Sequence, residues 1–496
     1  MRRPPATDTN RPRRSQAMTY HTPLMLIGGE WRTAASGRFI DVVDPCTEDV
    51  LGQVPAGGPD EVAEALAHAR AALPVWRAVH GWERGKKLRR IAREMERRRD
   101  ELARALSQEI GRPLSQAGGE VAIAIEQFDW FAGEAERLFG ETIPSRQGGR
   151  LVTDLEPVGI VAAFTAWNFP INLLARKIAP ALAAGCPIVC RPSEQTPATS
   201  TILIECCEAA DLPPGVVQLL QGRAEDLSPA LIAAPEVRKI SLTGSTRVGR
   251  LVMAQAAQTV KRLSMELGGH APVVVCESAD AKAAAAACAA FKFRNAGQVC
   301  IAPNRFYVHE RIAAAFTQRM VEEAEALRLG GAFDADTTMG PLTTRAQRDR
   351  VEALSEETRA SGARLLTGGA RPQGRNRGFF FEPTVFDEVP DDARIMREEP
   401  FGPLAPITTF TDLDDALARA NSTPYGLAAY AFTRDQGEAQ ALSRGLKSGM
   451  VGLNTFAIAH AEAPFGGVDQ SGMGREGGRQ AILDYLDVKM THFMPG

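Results

Sequence analysis

The amino-acid sequence predicts an α/β protein built around parallel sheets with helices on both faces. Between residues 158 and 257, short apolar runs typical of buried strands alternate with helical stretches. This alternation predicts βαβ units and a doubly wound sheet. A second alternation of the same kind runs from about residue 268 to residue 452, so we expect two α/β domains.

The segment before the first strands is predicted to be mainly helical. Across residues 59–106, apolar side chains such as Leu88, Ile91 and Met95 recur among arginines at the spacing of one helix face. A second helical region is predicted over residues 123–139.

The first α/β region contains four predicted strands, at residues 158–164, 188–190, 216–220 and 239–242. The accompanying helices are predicted at residues 175–184, 198–210, 226–233 and 247–257. Ligands of doubly wound sheets bind at the carboxyl ends of the strands. The residues that follow each strand are therefore candidates for function.

The second α/β region opens with a predicted strand at residues 271–276 and an alanine-rich helix at residues 281–291. Near the C-terminus, residues 481–493 mix Leu486, Val488 and Met490 with polar side chains. This pattern predicts a strand that pairs outside its own domain.

Composition narrows the class of protein. The 57 lysines and arginines nearly balance the 60 aspartates and glutamates, for a net charge of -3, which argues against a nucleic-acid-binding surface. No apolar run reaches the ~20 residues that span a bilayer. The eight cysteines form no CxxC pair and have no histidine cluster beside them. We therefore expect no metal site and no disulfide framework, and the composition favours a reducing cytoplasm.

The first seventeen residues are rich in arginine and proline and lack the apolar core of a secretory signal. We expect a disordered tail over residues 1–20, or an over-extended start with Met18 as the initiator.

Cys300 is the candidate nucleophile. Gly297 and the polar Asn295 and Gln298 lie beside it, so the backbone is free to bend and the thiol to face a cleft. A thiolate is a strong nucleophile, and exposure near positive charge lowers its pKa. The alternative is a small apolar residue in a packed loop, which is common for free cysteine.

Two more residues have the chemistry of an acyl-transfer site. Asn168 follows the predicted strand that ends at Phe164, and its amide suits a developing oxyanion; the alternative is an Asx turn. Glu266 stands among apolar residues and glycines, where a raised pKa suits a general base. The alternative is an exposed glutamate at a domain hinge.

Two motifs suit the two ends of a nucleotide. The run Leu242–Gly249 reads as a strand, a glycine turn and a helix start, whose N–H groups and dipole suit a pyrophosphate; a plain helix cap is the alternative. Glu399 precedes a tight turn that contains Phe401, and a carboxylate there suits a sugar diol. The alternative is a solvated loop.

Together and in this order, the motifs resemble the aldehyde dehydrogenase superfamily from about Leu26 to the C-terminus. The stretches 293–308 and 464–477 are most similar to NAD(P)-dependent succinate-semialdehyde dehydrogenases. The matching runs are 166–170, 176–186, 191–197, 242–249, 266–269, 297–300, 399–403 and 464–478.

The resemblance implies a Rossmann-like NAD-binding domain, an α/β catalytic domain and a small β oligomerisation arm. It assigns residues 21–139 and 156–267 to the first and 268–455 to the second. The arm takes residues 140–155 and 479–496, and residues 456–478 form a substrate-pocket and interdomain segment. Homologues assemble as dimers or tetramers through this arm, so we expect a homodimer or homotetramer.

The resemblance also implies a mechanism. In this mechanism the Cys300 thiolate attacks the aldehyde carbon. Asn168 and the backbone N–H of Cys300 stabilise the oxyanion. A hydride is then transferred to the nicotinamide, which leaves a thioester. Glu266 then activates the water that hydrolyses the thioester.

The family match assigns nine residues to the cofactor: Trp167, Arg191, Ser193, Glu194, Gly244, Ser245, Gly249, Glu399 and Phe401. Arg191 departs from the pattern, because lysine is usual before Pro-Ser. Glu194 is placed to accept from the adenosine 2′-hydroxyl and to repel a 2′-phosphate. We therefore predict NAD as the cofactor, with NADP allowed because Arg191 offsets that repulsion.

For the substrate, the match points to Arg176, Arg294 and His460. Two arginines near the aldehyde tunnel suggest bidentate capture of a carboxylate at the far end of the substrate; the alternative is a structural arginine. This predicts an ω-carboxylated aldehyde such as succinate semialdehyde. His460 replaces a small hydroxyl residue, which keeps glutarate semialdehyde or 2-oxoglutarate semialdehyde open. A broad-specificity dehydrogenase and a catalytically idle binding protein on the same fold are the other readings.

Overall fold

The structure is a computed structural model that describes residues 20–494. The predicted N-terminal tail lies outside the described residues except for Tyr20, whose hydroxyl donates a 2.6 Å hydrogen bond to Glu109 Oε1. Both candidate initiators, Met1 and Met18, also lie outside them.

Within residues 20–494, fourteen α-helices form. Helices α1 to α14 span Pro59–Ala78, Gly81–Arg97, Arg99–Ile110, Leu114–Ala135, Pro170–Ala184, Pro197–Glu208, Ala224–Ala233, Thr246–Ala256, Ala281–Lys292, Glu310–Glu325, Arg345–Ala360, Leu413–Ala420, Gln436–Gly445 and Gly478–Leu483. Three short 3₁₀ turns cover Ala257–Thr259, Arg294–Gly297 and Arg394–Met396.

The same part of the chain contains twenty-two strands. Strands β1 to β22 span Met25–Ile27, Glu30–Arg32, Phe39–Val43, Val50–Pro55, Glu141–Pro144, Arg150–Pro157, Ile160–Phe164, Ile188–Arg191, Val217–Leu219, Val237–Thr243, Arg262–Glu266, Ala271–Val275, Pro303–His309, Arg364–Thr367, Thr384–Asp387, Leu404–Phe410, Tyr425–Gly426, Ala428–Phe432, Met450–Leu453, Val468–Asp469, Gly472–Met473 and Leu486–Phe493.

The described residues form two large β-sheets. The first has eight strands in the order β2-β1-β9-β8-β7-β10-β11-β21, and its five central strands run parallel. The second has seven strands in the order β14-β15-β16-β13-β12-β18-β19, all parallel except the β14–β15 pair. Every residue of β7 and of β12 is buried, as expected for parallel strands with helices on both faces. The predicted α/β class is confirmed.

A third, smaller sheet joins distant parts of the chain. Strand β22 pairs with all eight residues of β6, and β6 pairs with β5 on its other side. The predicted tail strand therefore pairs outside both large sheets. Its first residues, however, form the short helix α14 rather than a strand.

Several predicted bounds shift by a few residues. The predicted helical region over residues 59–106 contains three helices, α1 to α3, separated by short turns. The helix predicted over residues 123–139 is α4, which begins nine residues earlier, at Leu114, and ends at Ala135. Phe139 lies beyond it and is exposed. No helix among residues 20–494 is long and apolar enough to cross a membrane.

The candidate residues lie at the carboxyl ends of strands in the first sheet and in a loop of the second sheet. Asn168 follows β7, Gly244 follows β10, and Glu266 is the last residue of β11. Cys300 lies in the connection that leads into β13 of the second sheet. The carboxyl end of the first sheet therefore faces the loop that carries the thiol.

Candidate active site

A cavity of about 240 Å³ lies where the two sheets meet. Apolar and polar groups share its walls, and four of its polar residues are Asn168, Glu266, Cys300 and Glu399. The remaining lining residues are Ala166, Trp167, Phe169, Leu173, Thr243, Gly244, Ser245, Leu267, Gly268, Gln347, Arg350, Phe401, Phe465 and Glu476.

The loop that carries Cys300 has an unusual backbone. Asn295, Ala296 and Gly297 take left-handed conformations, with φ of 51°, 52° and 75°. The fully buried Gln298 holds the turn: its Nε2 donates to Asn295 O at 3.0 Å and its Oε1 accepts from Thr343 N at 2.9 Å. The run read as flexible in the sequence is thus a tightly bonded turn.

Asn168 is bonded to this same turn. Its Nδ2 donates to Gln298 O at 3.1 Å, and the side chain is buried at the cavity wall. An amide nitrogen carries two hydrogens, and this is its one hydrogen bond to the described residues. The remaining hydrogen suits an oxyanion formed next to Cys300.

Glu266 is a buried carboxyl at the cavity wall, only 4% exposed. Neither carboxyl oxygen has a hydrogen-bond partner among the described residues. Burial, followed by the nearby Glu476 carboxylate, raises the pKa of Glu266 well above its usual range. Gly466 leaves room for it, because an added Cβ there would lie 2.7 Å from Glu266 Oε1. A buried carboxyl with a raised pKa suits a general base.

Two charged residues that the sequence reasoning did not single out stand next to Glu266. Lys177 is buried, and its Nζ donates to Glu476 Oε1 and, at 2.8 Å, to Thr243 Oγ1. Glu476 Oε2 has no partner among the described residues. The available signal was the match of residues 464–478 to the family, which contains Glu476.

The electrostatics of Cys300 differ from the sequence-based expectation. Exposure and positive charge were expected to lower its pKa. Instead, burial raises the pKa of the Cys300 thiol, and the carboxylates of Glu266 and Glu399 raise it further, while Arg176 acts in the opposite direction. A raised pKa favours the protonated thiol, so attack by this sulfur requires loss of its proton to a base.

The glycine turn after β10 lies at the cavity. Ser245 caps helix α8, since its Oγ accepts from Val248 N at 3.3 Å. Gly249 does not line the cavity; an added Cβ would lie 2.4 Å from Leu267 Cδ2, so this glycine allows α8 to pack closely on the sheet. The open N–H groups at the start of α8 fit a pyrophosphate.

The opposite wall suits a ribose and a flat ring. Gly269 N donates to Glu399 Oε1 at 3.4 Å, and burial raises the pKa of Glu399 to about 8. An added Cβ at Gly268 would lie 2.9 Å from Glu399 Oε2, so the glycine keeps this space open. Phe401 packs edge-on against Trp167, with ring centroids 5.7 Å apart.

Three other predicted cofactor residues lie outside the cavity lining. Arg191 Nη2 donates to Glu194 Oε2 at 2.5 Å and to Gly222 O at 3.0 Å. Ser193 Oγ accepts from Gln195 N at 3.2 Å. The two charges expected to oppose each other at a 2′-phosphate therefore form an ion pair.

The three predicted substrate residues occupy different surroundings. Arg176 is 2% exposed, and its Cζ lies 4.7 Å from the centroid of the ring of Phe465, which lines the cavity. Neither Nη atom of Arg176 has a hydrogen-bond partner among the described residues. Arg294 lines a separate groove and lies over the Phe169 ring, at 5.4 Å. His460 is exposed, with Nε2 3.0 Å from Ala457 O. The structure therefore does not bring the two arginines to one cavity wall.

No group of three or more His, Cys, Asp or Glu side chains with the geometry to hold a metal ion occurs among residues 20–494. The cavity instead combines a thiol, an amide donor, a buried carboxyl and a surface that fits a dinucleotide. This combination can form and hydrolyse a thioester.

Several known proteins are similar to this chain in sequence and in fold. Succinate-semialdehyde dehydrogenase [NADP(+)] of Escherichia coli is 42% identical over 94% of this chain and 96% of its own length. Glutarate-semialdehyde dehydrogenase of Pseudomonas putida is 41% identical over 93% of this chain and 96% of its own length. The crystal structure of Staphylococcus aureus betaine aldehyde dehydrogenase with NAD+ superimposes with a TM-score of 0.93, at 34% identity and with 95% of each chain covered.

The aldehyde dehydrogenase family model matches residues 31–491, which is nearly the whole chain. Together with the sheets and the cavity they form, this match means that the chain belongs to the aldehyde dehydrogenase family.

Proposed function

We propose that the protein oxidises succinate semialdehyde, or a similarly short aldehyde with an anionic far end, to the corresponding acid. The observation that carries the proposal is the buried guanidinium of Arg176, which has no partner for either Nη atom among the described residues. Leaving such donors unpaired costs free energy. A bound carboxylate accepts from both nitrogens and offsets that cost.

The chemistry begins at Cys300. Its sulfur attacks the aldehyde carbon after its proton leaves, and a thiohemiacetal forms. Asn168 Nδ2 and the backbone N–H of Cys300 donate to the oxygen as it gains charge. Because the turn that holds both donors is bonded through Gln298 and Asn295, little reorganisation is needed during the reaction.

Gly244, Ser245 and Glu399 would hold NAD or NADP, and Trp167 and Phe401 would flank it; all five residues line the cavity. When bound, the nicotinamide supplies the acceptor for the hydride that leaves the thiohemiacetal carbon. Glu266 then takes a proton from the water that attacks the resulting thioester on Cys300. The acid leaves, and the thiol is restored.

We propose NAD as the preferred cofactor, with NADP also accepted. Glu194 favours a free 2′-hydroxyl, whereas its ion pair with Arg191 reduces the repulsion of a 2′-phosphate. The relatives fit this mixed behaviour: the E. coli enzyme is named for NADP(+), and the S. aureus structure contains NAD+.

Glutarate semialdehyde is the second candidate substrate. The P. putida relative is named for it, at an identity close to that of the succinate-semialdehyde enzyme. The exposed His460 on the loop before Pro464 is the residue we associate with a longer or differently charged tail. A catalytically idle protein is disfavoured, because Cys300, Glu266 and Asn168 all line one cavity.

We also propose a cytoplasmic location and a homodimer or homotetramer. The location is supported by the eight free cysteines. Assembly is supported by strand β22, whose side chains Val488 and Met490 are exposed apolar groups.

The experiment is a kcat/KM series with succinate semialdehyde, glutarate semialdehyde and butanal, each with NAD and with NADP. We expect the two anionic aldehydes to exceed butanal, succinate semialdehyde to lead, and NAD to exceed NADP. A preference for butanal would contradict the proposed substrate class.

A further inference from the structure

A buried arginine behind the cavity connects three parts of the active site. Arg112 is 2% exposed and does not line the cavity that contains Cys300. It lies just after helix α3, and its partners Asn168 and Asn295 are 56 and 183 positions away along the chain. Its guanidinium meets the turn after β7, the Cys300 loop and the start of helix α4.

The first contact is to Asn168. Arg112 Nη2 donates to the Asn168 backbone carbonyl, and the Arg112 Cζ lies 4.3 Å from the centroid of the next residue, Phe169. The turn that presents the Asn168 amide is thus bonded and packed from behind by one side chain.

The second contact is to the Cys300 loop. Arg112 Nε donates to Asn295 Oδ1 at 3.1 Å. The Asn295 amide then donates to the carbonyls of both Asn168 and Gln298, each at 3.3 Å. Gln298 O is also the acceptor of the Asn168 amide. The oxyanion donor and the thiol loop therefore share one hydrogen-bond network that begins at Arg112.

The third contact fixes the arginine itself. Arg112 Nη1 donates to Glu120 Oε2 at 2.5 Å, and both side chains are buried. The other oxygen, Glu120 Oε1, accepts from Ile171 N at 2.8 Å and Asn172 N at 3.2 Å, at the start of helix α5. The pair therefore joins helix α4 to the helix that follows Asn168.

The planar fork of arginine explains why this residue type is needed. Its three nitrogens reach three acceptors in fixed directions, which a lysine ammonium on a flexible stem does not reproduce. A buried ion pair is a poor source of net stability, but it can specify one geometry. Reactions at such sites are sensitive to geometry, since a misplacement of about 1 Å costs roughly 100-fold in rate.

We propose that Arg112 is a positioning residue that sets the orientation of the Asn168 amide relative to the Cys300 sulfur, acting through the Asn168 carbonyl and Asn295. This rests on the proposed roles of Asn168 and Cys300. It predicts that Arg112 controls thiohemiacetal formation and hydride loss more than substrate or cofactor affinity.

The test compares Arg112→Lys with wild type by rapid mixing of enzyme, NAD and succinate semialdehyde. We expect the rate of the initial NADH burst to fall by about 10- to 100-fold, while KM for the aldehyde and the Kd for NAD change less than about threefold. Arg84→Lys is the matched control, because Arg84 is also a buried arginine bonded to a carbonyl, Val79 O at 2.9 Å. It should retain the wild-type burst rate.

A second variant keeps the proposal testable if Arg112→Lys folds poorly. Asn295→Gly removes the connecting amide yet suits the left-handed backbone at that position. We expect it to slow the burst too, and the double variant to be no slower than the slower single one.

A wild-type burst rate in Arg112→Lys, or fully additive effects in the double variant, would overturn the role of Arg112. Absence of NADH formation by the wild-type enzyme with every aldehyde would instead overturn the proposed function.

Discussion

At the scale of single residues, burial controls the acid–base chemistry of the site. Burial raises the pKa values of both Cys300 and Glu266, and nearby carboxylates add to each shift. Both groups act only after losing a proton, so a raised pKa moves their active forms to higher pH.

We therefore expect kcat to rise from neutral to alkaline pH. For a group with a raised pKa, the deprotonated fraction is still growing as pH rises past the group's usual range. The measurement is kcat and burst rate against pH with a stability control at each pH. A kcat that falls as pH rises through this range would contradict the assignment.

Arg176 gives a second prediction at this scale. Arg176→Met keeps an apolar stem of similar length and removes the charge that we assign to the far carboxylate. Charge-assisted hydrogen bonds contribute about 1.5–3 kcal/mol, so KM for succinate semialdehyde should rise by about 10- to 100-fold. Kinetics with butanal are the control, since they should change little. An unchanged KM for succinate semialdehyde would remove Arg176 from the substrate site.

Sequence reasoning located residues whose position follows directly from a strand end, and it failed where the backbone turns sharply. Asn168 and Gly244 follow strands that the sequence predicted, so their convergence was predictable, whereas Glu266 ends strand β11, which the sequence did not predict. Arg294 was expected near the substrate because it lies six residues before Cys300. The left-handed turn between the two places Arg294 on a separate groove, and a sequence gives no direct sign of such a turn.

Contacts between distant segments could also not be predicted from the sequence. Lys177 and Glu476 lie 299 positions apart, yet they form a buried ion pair beside Glu266. Each is an ordinary charged residue in its own segment, and only the folded chain brings them together.

At the scale of elements, the Cys300 turn depends on glycine. Gly297 has φ of 75°, and an added Cβ would lie 2.1 Å from Gly402 O, a backbone atom that cannot move aside easily. We expect Gly297→Ala to lower stability by about 1–3 kcal/mol and to abolish most activity, because the loop must shift.

Gly374→Ala is the matched control for this variant. Gly374 has nearly the same φ, 76°, but nothing lies within 4 Å of an added Cβ. Thermal unfolding and kcat/KM of the two variants separate the cost of the backbone angle from the cost of the clash. Equal effects at both positions would mean that the approach of Gly402 does not matter.

Helices and strands with a clear apolar pattern were predicted correctly in type, but their first or last residues differ from the structure. Strand β8 was placed at 188–190 and spans Ile188–Arg191, because a continuous buried apolar run marks it clearly. The helical region over residues 59–106 was predicted without its internal breaks, since short polar turns separate the three helices without breaking the apolar pattern. The eight-residue hairpin strand β6 was expected only from the family resemblance, which assigned residues 140–155 to a β arm, because most of its side chains are half-buried and show no clear apolar pattern.

At the scale of the whole molecule, the small sheet exposes apolar side chains on its edge strand β22. Val488 and Met490 share one face of strand β22 and are 69% and 59% exposed. An edge strand of this kind invites pairing with another chain. We propose that it lies in the contact between copies of this protein.

Val488→Lys combined with Met490→Lys should therefore reduce the assembly to a smaller species. Light scattering coupled to size-exclusion chromatography gives the mass directly. Val75→Lys is the control, because Val75 is also an exposed apolar residue but lies on helix α1. An unchanged mass in the double variant would place the contact elsewhere.

The central claim is that the Cys300 sulfur carries the acyl group and that Glu266 is needed to release it. Glu266→Gln removes the base, whose loss costs about 10²- to 10⁴-fold, so the thioester should accumulate. The measurement is mass spectrometry of Glu266→Gln after acid quenching with succinate semialdehyde and NAD. We predict a succinyl group on the peptide that contains Cys300. No adduct, or an adduct on another residue while the wild-type enzyme turns over, would contradict the account.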